Sequence, residues 1–317
     1  TTLFNIVTLV INWWYCKHKL KIKVIFGRFK WDFMREVAVY SFWIFLNAIM
    51  DRIYWSTGQF VLGMYSGAMA VAVYAIAIQL QSIYMSFSCA ISGVFLPKVT
   101  AMVTKSNNEK EISDLFIRTG RIQYIVMVFI LTSFIIFGRQ FILLWAGPAY
   151  EDAYLIALLF FMPLTIPLIQ NLGITILQAR NQMKFRSLLY IFIAVGSLGI
   201  SIPLAKMYGG IGCAVGTAIA LTLGQIIVMN IYYHKKIHLN ILLFWKEIGK
   251  MSITPIIIGC VSFYVLSDFP NLTILSLTLA ILLFVCAYIP IYWFSGMNKY
   301  ERDLFAAPII NLYHKIK

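Results

Sequence analysis

The sequence predicts an all-α polytopic membrane protein with about nine transmembrane helices. Three observations support this class: the composition, a series of long apolar stretches, and the distribution of basic residues between them. Of the 317 residues, 61% are hydrophobic and 12% are charged, and the mean hydropathy is +0.82. Soluble domains have about 25% charged residues, so the composition is that of an integral membrane protein.

Nine apolar stretches approach the roughly 20 residues that a helix needs to cross a bilayer. The first is short and has no initiator Met, so we expect it to be the tail of a helix that begins upstream, in a chain that is a fragment. The nine stretches are residues 1–16, 37–63, 70–96, 122–138, 153–176, 188–204, 211–233, 251–267 and 272–294.

Basic residues are concentrated in alternate connections. These connections and the C-terminal tail hold 23 of the 26 Lys and Arg residues, among them Arg180, Lys184 and Arg186. The exceptions are Arg139 and Lys206 on the other side and Arg52 within a span. The asymmetry predicts that the basic connections and the C-terminus are cytoplasmic. The net charge of +14 is then a topology and headgroup signal, and nucleic acid is not an expected partner.

No catalytic or metal-binding arrangement is visible. The five cysteines lie within or at the ends of spans without a shared loop, and the four histidines all lie in basic segments. Neither a disulfide framework nor metal-ligand spacing results. There is no phosphate-binding glycine loop. We therefore predict no enzyme activity, no catalytic residues, no metal and no cofactor.

Asp51 and Arg52 are the only charged pair in the stretch 37–63. At 100° per residue, Asn47, Asp51, Trp55 and Gln59 follow one side of a helix, and Arg52 flanks that row. The next span has a polar face of its own, with Gln79, Ser82 and Ser86 at helical spacing. Neighbouring polar faces at membrane depth indicate a protein interior or a wet cavity.

Two interpretations of Asp51 and Arg52 remain open. They can form a structural ion pair between helices, with Arg52 reaching outward to the headgroups. Alternatively, the Arg52 guanidinium faces a cavity and binds an anionic group in bidentate fashion. In another span, Pro163 and Pro167 free backbone carbonyls and are candidate hinges.

Several short motifs resemble those of a known family. The sequence is similar to bacterial polysaccharide flippases of the multidrug/oligosaccharidyl-lipid/polysaccharide exporter superfamily, and the likeness covers essentially the whole chain. It rests on Asp51-Arg52, Gly63–Gly67, Val73–Ala77, Val94–Pro97, Leu177–Asn181 and Gly209–Ala214.

The resemblance implies a MATE-like fold of two six-helix lobes around a central cavity, with this chain running from the end of helix 6 through helix 14. Residues 1–16 would end a first-lobe helix, and 17–36 would be a basic cytoplasmic linker. Within this linker, the mix of basic and aromatic residues at Phe26–Arg35 predicts either an amphipathic elbow or an ordinary basic loop. The second lobe would occupy 37–236, the final helix pair with its amphipathic lead-in 237–296, and a cytoplasmic tail 297–317.

The implied function is the flipping of an undecaprenyl-pyrophosphate-linked oligosaccharide, for example an O-antigen unit, across a bacterial inner membrane by alternating access without ATP hydrolysis. Implied partners are this lipid-linked oligosaccharide, membrane lipids, and the polymerase and chain-length proteins of polysaccharide assembly. Arg52 would meet the pyrophosphate, and polar and aromatic side chains would meet the sugars. The implied cavity residues are Asp51, Arg52, Asn47, Trp55, Gln59, Gln79, Ser82 and Ser86.

Two other functions stay open at this point. The related drug exporters couple cationic substrates to cation entry, usually through acidic residues in a lobe. The chain can also be a truncated product or a scaffold without transport activity.

Overall fold

The computed structural model describes residues 2–19, 31–105, 108–267 and 273–316, and within these ranges every regular element is helical. The chain divides into two units, Thr1–Ser41 and Phe42–Lys317. The first unit contains α1 (Thr2–His18) and the beginning of α2 (Trp31–Tyr65). Residues 26–30 of the predicted amphipathic elbow lie outside the described residues.

The end of α1 combines aromatic and basic side chains. Lys17 Nζ lies 5.0 Å from the Trp13 ring centroid, and the Trp14 and His18 rings stack at 5.3 Å. Such pairs are typical of helix ends at a membrane–water interface.

The second unit continues α2 and contains nine further α-helices. A 3₁₀ turn, Pro148–Tyr150, precedes α5, and a π-helical turn, Thr222–Val228, separates α7 from α8. The helices are α3 (Gly67–Lys105), α4 (Glu109–Trp145), α5 (Asp152–Ile169), α6 (Leu172–Ala179), α7 (Met183–Leu221), α8 (Met229–Lys235), α9 (Ile241–Ser267), α10 (Ile274–Ser295) and α11 (Lys299–Ile316).

Seven helical segments of the described chain are long and apolar enough to cross a membrane. Eight of the nine predicted stretches correspond to them, because the segment Met183–Lys235 carries two. The exception is α1, which has 17 residues. The predicted class, an all-α polytopic membrane protein, is confirmed, while the number of crossings stays a prediction.

α7 reverses direction at Gly209. Its φ of 57° and ψ of −134° are non-helical, a conformation that glycine adopts without the steric cost of a Cβ atom. Beyond the reversal the two arms of α7 touch: a Cβ atom at Gly216 would collide with the Ser201 backbone, and the Ser201 hydroxyl donates to the Cys213 carbonyl at 3.2 Å. Small residues allow this close helix contact.

The predicted stretch 153–176 is two helices. α5 ends at Ile169 and α6 begins at Leu172. Between them, backbone hydrogen bonds join residues three apart: the Asn171 N–H donates to the Leu168 carbonyl, and the Gly173 N–H donates to the Gln170 carbonyl. Pro163 and Pro167 both lie inside α5, just before this break.

The core of the second unit lies where α3, α4 and α5 meet. The buried Tyr84 hydroxyl is 2.7 Å from Thr165 Oγ1 and donates to the Met127 carbonyl at 3.2 Å, while its ring stacks on Phe161 at 4.3 Å. Ser88 Oγ donates to the Leu168 carbonyl at 2.7 Å. Polar groups are thus paired where no water would satisfy them.

A buried charge cluster joins α4, α9 and α11. Arg121 donates through Nε to Glu301 Oε1 at 2.6 Å and through Nη1 to Glu247 Oε2 at 2.6 Å. Glu301 also accepts from the Asn298 backbone N–H, and Asn298 Oδ1 accepts from the Glu301 N–H, both at 2.9 Å. This reciprocal pair is a capping box at the start of α11. We call Arg121, Glu247 and Glu301 the Arg121 cluster.

Candidate functional site

Asp51 points into the helix bundle, where it lines a small cavity of about 50 Å³. The cavity lies between α2, α3, α5, α6, α7 and the π-helical turn, and we call it the Asp51 cavity. Apolar side chains form most of its wall. Its polar lining residues are Asp51, Trp55, Asn171, Arg186, Tyr190 and Gln225.

Arg186 is the cation that faces Asp51. Asp51, Trp55, Arg186 and Tyr190 line the same cavity, so the Arg186 guanidinium is the charged neighbour of the Asp51 carboxylate. Arg186 is only 6% exposed, donates from Nη2 to the Tyr190 hydroxyl at 3.0 Å, and has Cζ 4.8 Å from the Tyr190 ring centroid. The half-buried Asp51 carboxylate on α2 and the buried Arg186 guanidinium on α7 thus lie in one cavity, where their opposite charges partly offset each other.

Two further donors in this cavity lack a partner among the described residues: Arg186 Nε and Gln225 Nε2. Gln225 is buried and lies in the π-helical turn, a feature that frequently marks functional sites. Both groups donate, so the cavity suits an acceptor of about the size of a water molecule, whose share of liquid volume is about 30 Å³.

Arg52 does not line the Asp51 cavity. It lies on the exposed side of α2, together with Phe45, Ile49 and Ile53. No hydrogen bond or ion pair joins Arg52 to another residue of the described chain. The structure therefore separates the two predicted partners, with Asp51 turned inward and Arg52 outward.

Gln79, Ser82 and Ser86 form an exposed row on α3, which we call the polar stripe. The Ser86 hydroxyl donates to the Ile83 carbonyl at 2.6 Å. Arg52 is 14 residues before Ser66 in the α2–α3 turn, and Gln79 is 13 residues after it. By the helical rise, each lies roughly 20 Å from that turn. Arg52 and the beginning of the polar stripe therefore lie at a similar depth.

The remaining predicted residues are half-buried. Trp55 lines the Asp51 cavity and packs edge-on against Phe160 at 5.6 Å. Asn47 Nδ2 is buried without a hydrogen-bond partner in the described chain, and Gln59 lies outside the cavity wall. Pro167 lines the Asp51 cavity, whereas Pro163 lines an apolar groove between α5 and α7. Their role as hinges stays a prediction.

Sequence reasoning missed Arg186 because it was counted among the basic residues of a cytoplasmic connection. The structure places it within the first turn of α7, where the chain is already buried. A usable signal was present: Arg186 and Tyr190 are four residues apart, the spacing at which side chains meet on a helix. Within the described residues, no group of three or more His, Cys, Asp or Glu side chains could hold a metal ion.

Long apolar helices, a buried charge pair and an exposed polar stripe together define a multi-pass membrane protein with polar surfaces at membrane depth. The family described as "Polysaccharide biosynthesis protein" matches residues 1–155, just under half of the chain. This match supports the predicted resemblance to polysaccharide biosynthesis proteins. No curated protein and no solved structure matches the chain.

Proposed function

We propose that the protein moves an undecaprenyl-pyrophosphate-linked oligosaccharide from the inner to the outer leaflet of a bacterial plasma membrane, by alternating access and without ATP hydrolysis. The family match to polysaccharide biosynthesis proteins and the apolar helices support a polysaccharide-related transporter. The specific cargo rests on the side chains exposed at depth.

The observation that carries the proposal is the exposure of Arg52 and the polar stripe roughly 20 Å from the α2–α3 turn. Hydrocarbon leaves exposed polar groups unsatisfied at a cost of several kcal/mol each. A guanidinium and an amide at this depth are stable where they meet water or polar cargo. Arg52 on α2 and the polar stripe on α3 therefore each suit a surface that meets water inside a chamber.

The chemistry of the exposed groups fits the two polar parts of such a cargo. A guanidinium binds phosphate oxygens bidentately and remains charged at any physiological pH. The amide and hydroxyls of Gln79, Ser82 and Ser86 can exchange hydrogen bonds with sugar hydroxyls. The polyprenyl tail stays in the lipid, since nothing favours its transfer to water.

The exposed Arg52 guanidinium favours an anionic cargo over the cationic substrates of the related exporters. We propose that Asp51 and Arg186 hold α2 against α7 so that Arg52 keeps its outward orientation.

Replacing Arg52 with Ala tests the proposal in cells that rely on this protein for surface polysaccharide. We expect at least a roughly tenfold loss of polysaccharide per cell, because charge-assisted hydrogen bonds contribute about 1.5–3 kcal/mol each. The amount of the protein in the membrane should not change. Arg52→Lys, which keeps the charge but not the bidentate geometry, should give an intermediate level.

The matched control is Arg139→Ala. Arg139 is also exposed, but it lies near the C-terminal end of α4 and forms an ion pair with Glu151. Arg139 Nε is 2.7 Å from Glu151 Oε1. The Arg139→Ala variant should leave polysaccharide unchanged. If Arg52→Ala depletes the protein from the membrane, Arg52 is structural; if polysaccharide is normal, Arg52 does not carry cargo.

A further inference from the structure

A second pocket lies at the end of the bundle that contains the α2–α3 turn, which we call the Ser66 end. Its volume is about 410 Å³, within the range of small-ligand sites. Four structural elements meet there: the turn itself with the first residues of α3, the 3₁₀ turn, the beginning of α5 and the Gly209 reversal of α7.

The lining combines one carboxylate, one aromatic ring and open backbone. Asp152, the first residue of α5, supplies the carboxylate, and Tyr208, which is 64% exposed, supplies the ring. Ser66 adds a hydroxyl, and Val73 and Ile156 form the apolar floor. No hydrogen bond or ion pair with another described residue occupies the Asp152 carboxylate.

The neighbouring charged side chains make other contacts and do not line the pocket. Glu151 forms an ion pair with Arg139, and Lys206 Nζ lies 4.6 Å from the Tyr65 ring centroid. Neither Glu151 nor Lys206 lines the pocket. The wall therefore carries a negative charge without a cation, and a phosphate group would be repelled from it.

We infer that this pocket binds the sugar part of the cargo. A pyranose ring has an apolar C–H face, which can pack on Tyr208, and hydroxyls at its rim, which can donate to the Asp152 carboxylate and exchange hydrogen bonds with Ser66. The ligand class is thus a neutral, hydroxyl-rich glycan. The lack of a cation in the lining excludes the pyrophosphate from this position.

This inference rests on the proposed function and extends it. Arg52 lies roughly 20 Å from the Ser66 end along α2, so a single cargo molecule has two points of recognition at different depths. The pyrophosphate is held deep in the membrane and the glycan near the outer surface. The pocket therefore adds a glycan contact near the outer surface to the contacts that the polar stripe makes with sugars.

Cysteine protection tests the inference in intact cells that carry the whole protein. Met69→Cys, which lines the pocket and is exposed, is labelled from outside with a membrane-impermeant maleimide. The labelling is compared between cells that make the lipid-linked oligosaccharide and cells that lack the enzyme that adds its first sugar. We expect labelling to be at least about threefold slower where the glycan is made, because a bound ring covers the thiol. Met207→Cys, exposed and outside the pocket, should react equally in both.

Equal labelling of Met69→Cys in the two cell types overturns the inference, since a phospholipid headgroup would be present in both. Absence of labelling at both positions overturns it as well, because the Ser66 end would then not face outward. A parallel pair of variants measures export: Asp152→Ala should lower surface polysaccharide, and Glu151→Ala should not. Normal export with Asp152→Ala also contradicts a glycan site here.

The two proposals fail separately. If Arg52→Ala blocks export but Met69→Cys is not protected, only the glycan pocket is wrong. If Met69→Cys is protected but Arg52→Ala exports normally, glycan binding stands and the assignment of Arg52 to the pyrophosphate is wrong.

Discussion

Arg121→Met is expected to lower the free energy of unfolding by about 3–5 kcal/mol, because it leaves a buried carboxylate without its cation. The Glu301 side chain is 2% exposed and bonds to two nitrogens of Arg121. Glu247 is less affected, since it also accepts from Lys250 Nζ at 2.9 Å. Thermal or denaturant unfolding of the purified protein in detergent measures the change.

Arg118→Met is the matched control. Arg118 lies one turn earlier on α4, is exposed, and has only a Tyr300 ring at 5.7 Å from its Cζ, so a loss of under about 1 kcal/mol is expected. The double variant Arg121→Met/Glu301→Gln removes both charges and should be more stable than Arg121→Met alone. Equal stability of Arg118→Met and Arg121→Met would show that the Arg121 cluster does not hold α11 in place.

Arg186→Met should destabilise the second unit by about 1.5–3 kcal/mol, since it removes a charge-assisted hydrogen bond to the Tyr190 hydroxyl and the cation nearest to Asp51 in the cavity. Asp51→Asn should also destabilise, because it leaves the buried guanidinium uncompensated. The double variant Asp51→Asn/Arg186→Met should recover much of the loss. Protein abundance in the membrane and the unfolding temperature in detergent are the measurements.

Lys184→Met provides the comparison within the same turn of α7. Lys184 is exposed, with Nζ 5.7 Å from the Trp43 ring centroid, and its loss should cost under about 1 kcal/mol. If Arg186→Met is as stable as Lys184→Met, the charges of the Asp51 cavity do not join α2 to α7. If the double variant Asp51→Asn/Arg186→Met is stable, its export of polysaccharide separates two roles of the pair. Normal export indicates that the pair is structural, and lost export indicates that transport requires it.

Most of the helices could be predicted from the sequence because a membrane span leaves a local record. A stretch such as 70–96 must be apolar for the length of the hydrocarbon layer, and α3 covers it. The reversal at Gly209 is likewise local, since consecutive glycines at 209 and 210 permit it. The break between α5 and α6 was not predicted. It depends on backbone hydrogen bonds around Gln170 and Asn171, and the sequence there has no distinct composition that would indicate them.

The candidate site was predicted less well than the helices. The sequence singled out Asp51 and Arg52 as unusual but did not show that they face different ways. Their 100° separation on α2 allows several orientations, and contacts such as the Tyr54 hydroxyl bond to the Thr217 carbonyl at 2.6 Å select one. Arg186 was assigned to a connection because its charge resembled that of its neighbours.

The sequence by itself determined the class of protein, the positions of its long helices and its likeness to polysaccharide biosynthesis proteins, since apolar length and short motifs are properties of a continuous chain. The tertiary structure alone decided which side chains come together. Arg121 forms an ion pair with Glu301, Asp51 shares a cavity with Arg186, and Asp152 shares a pocket with Tyr208. The physical reason is that the rotation of each helix about its own axis is set by packing against its neighbours, and residues far apart in the chain supply those neighbours.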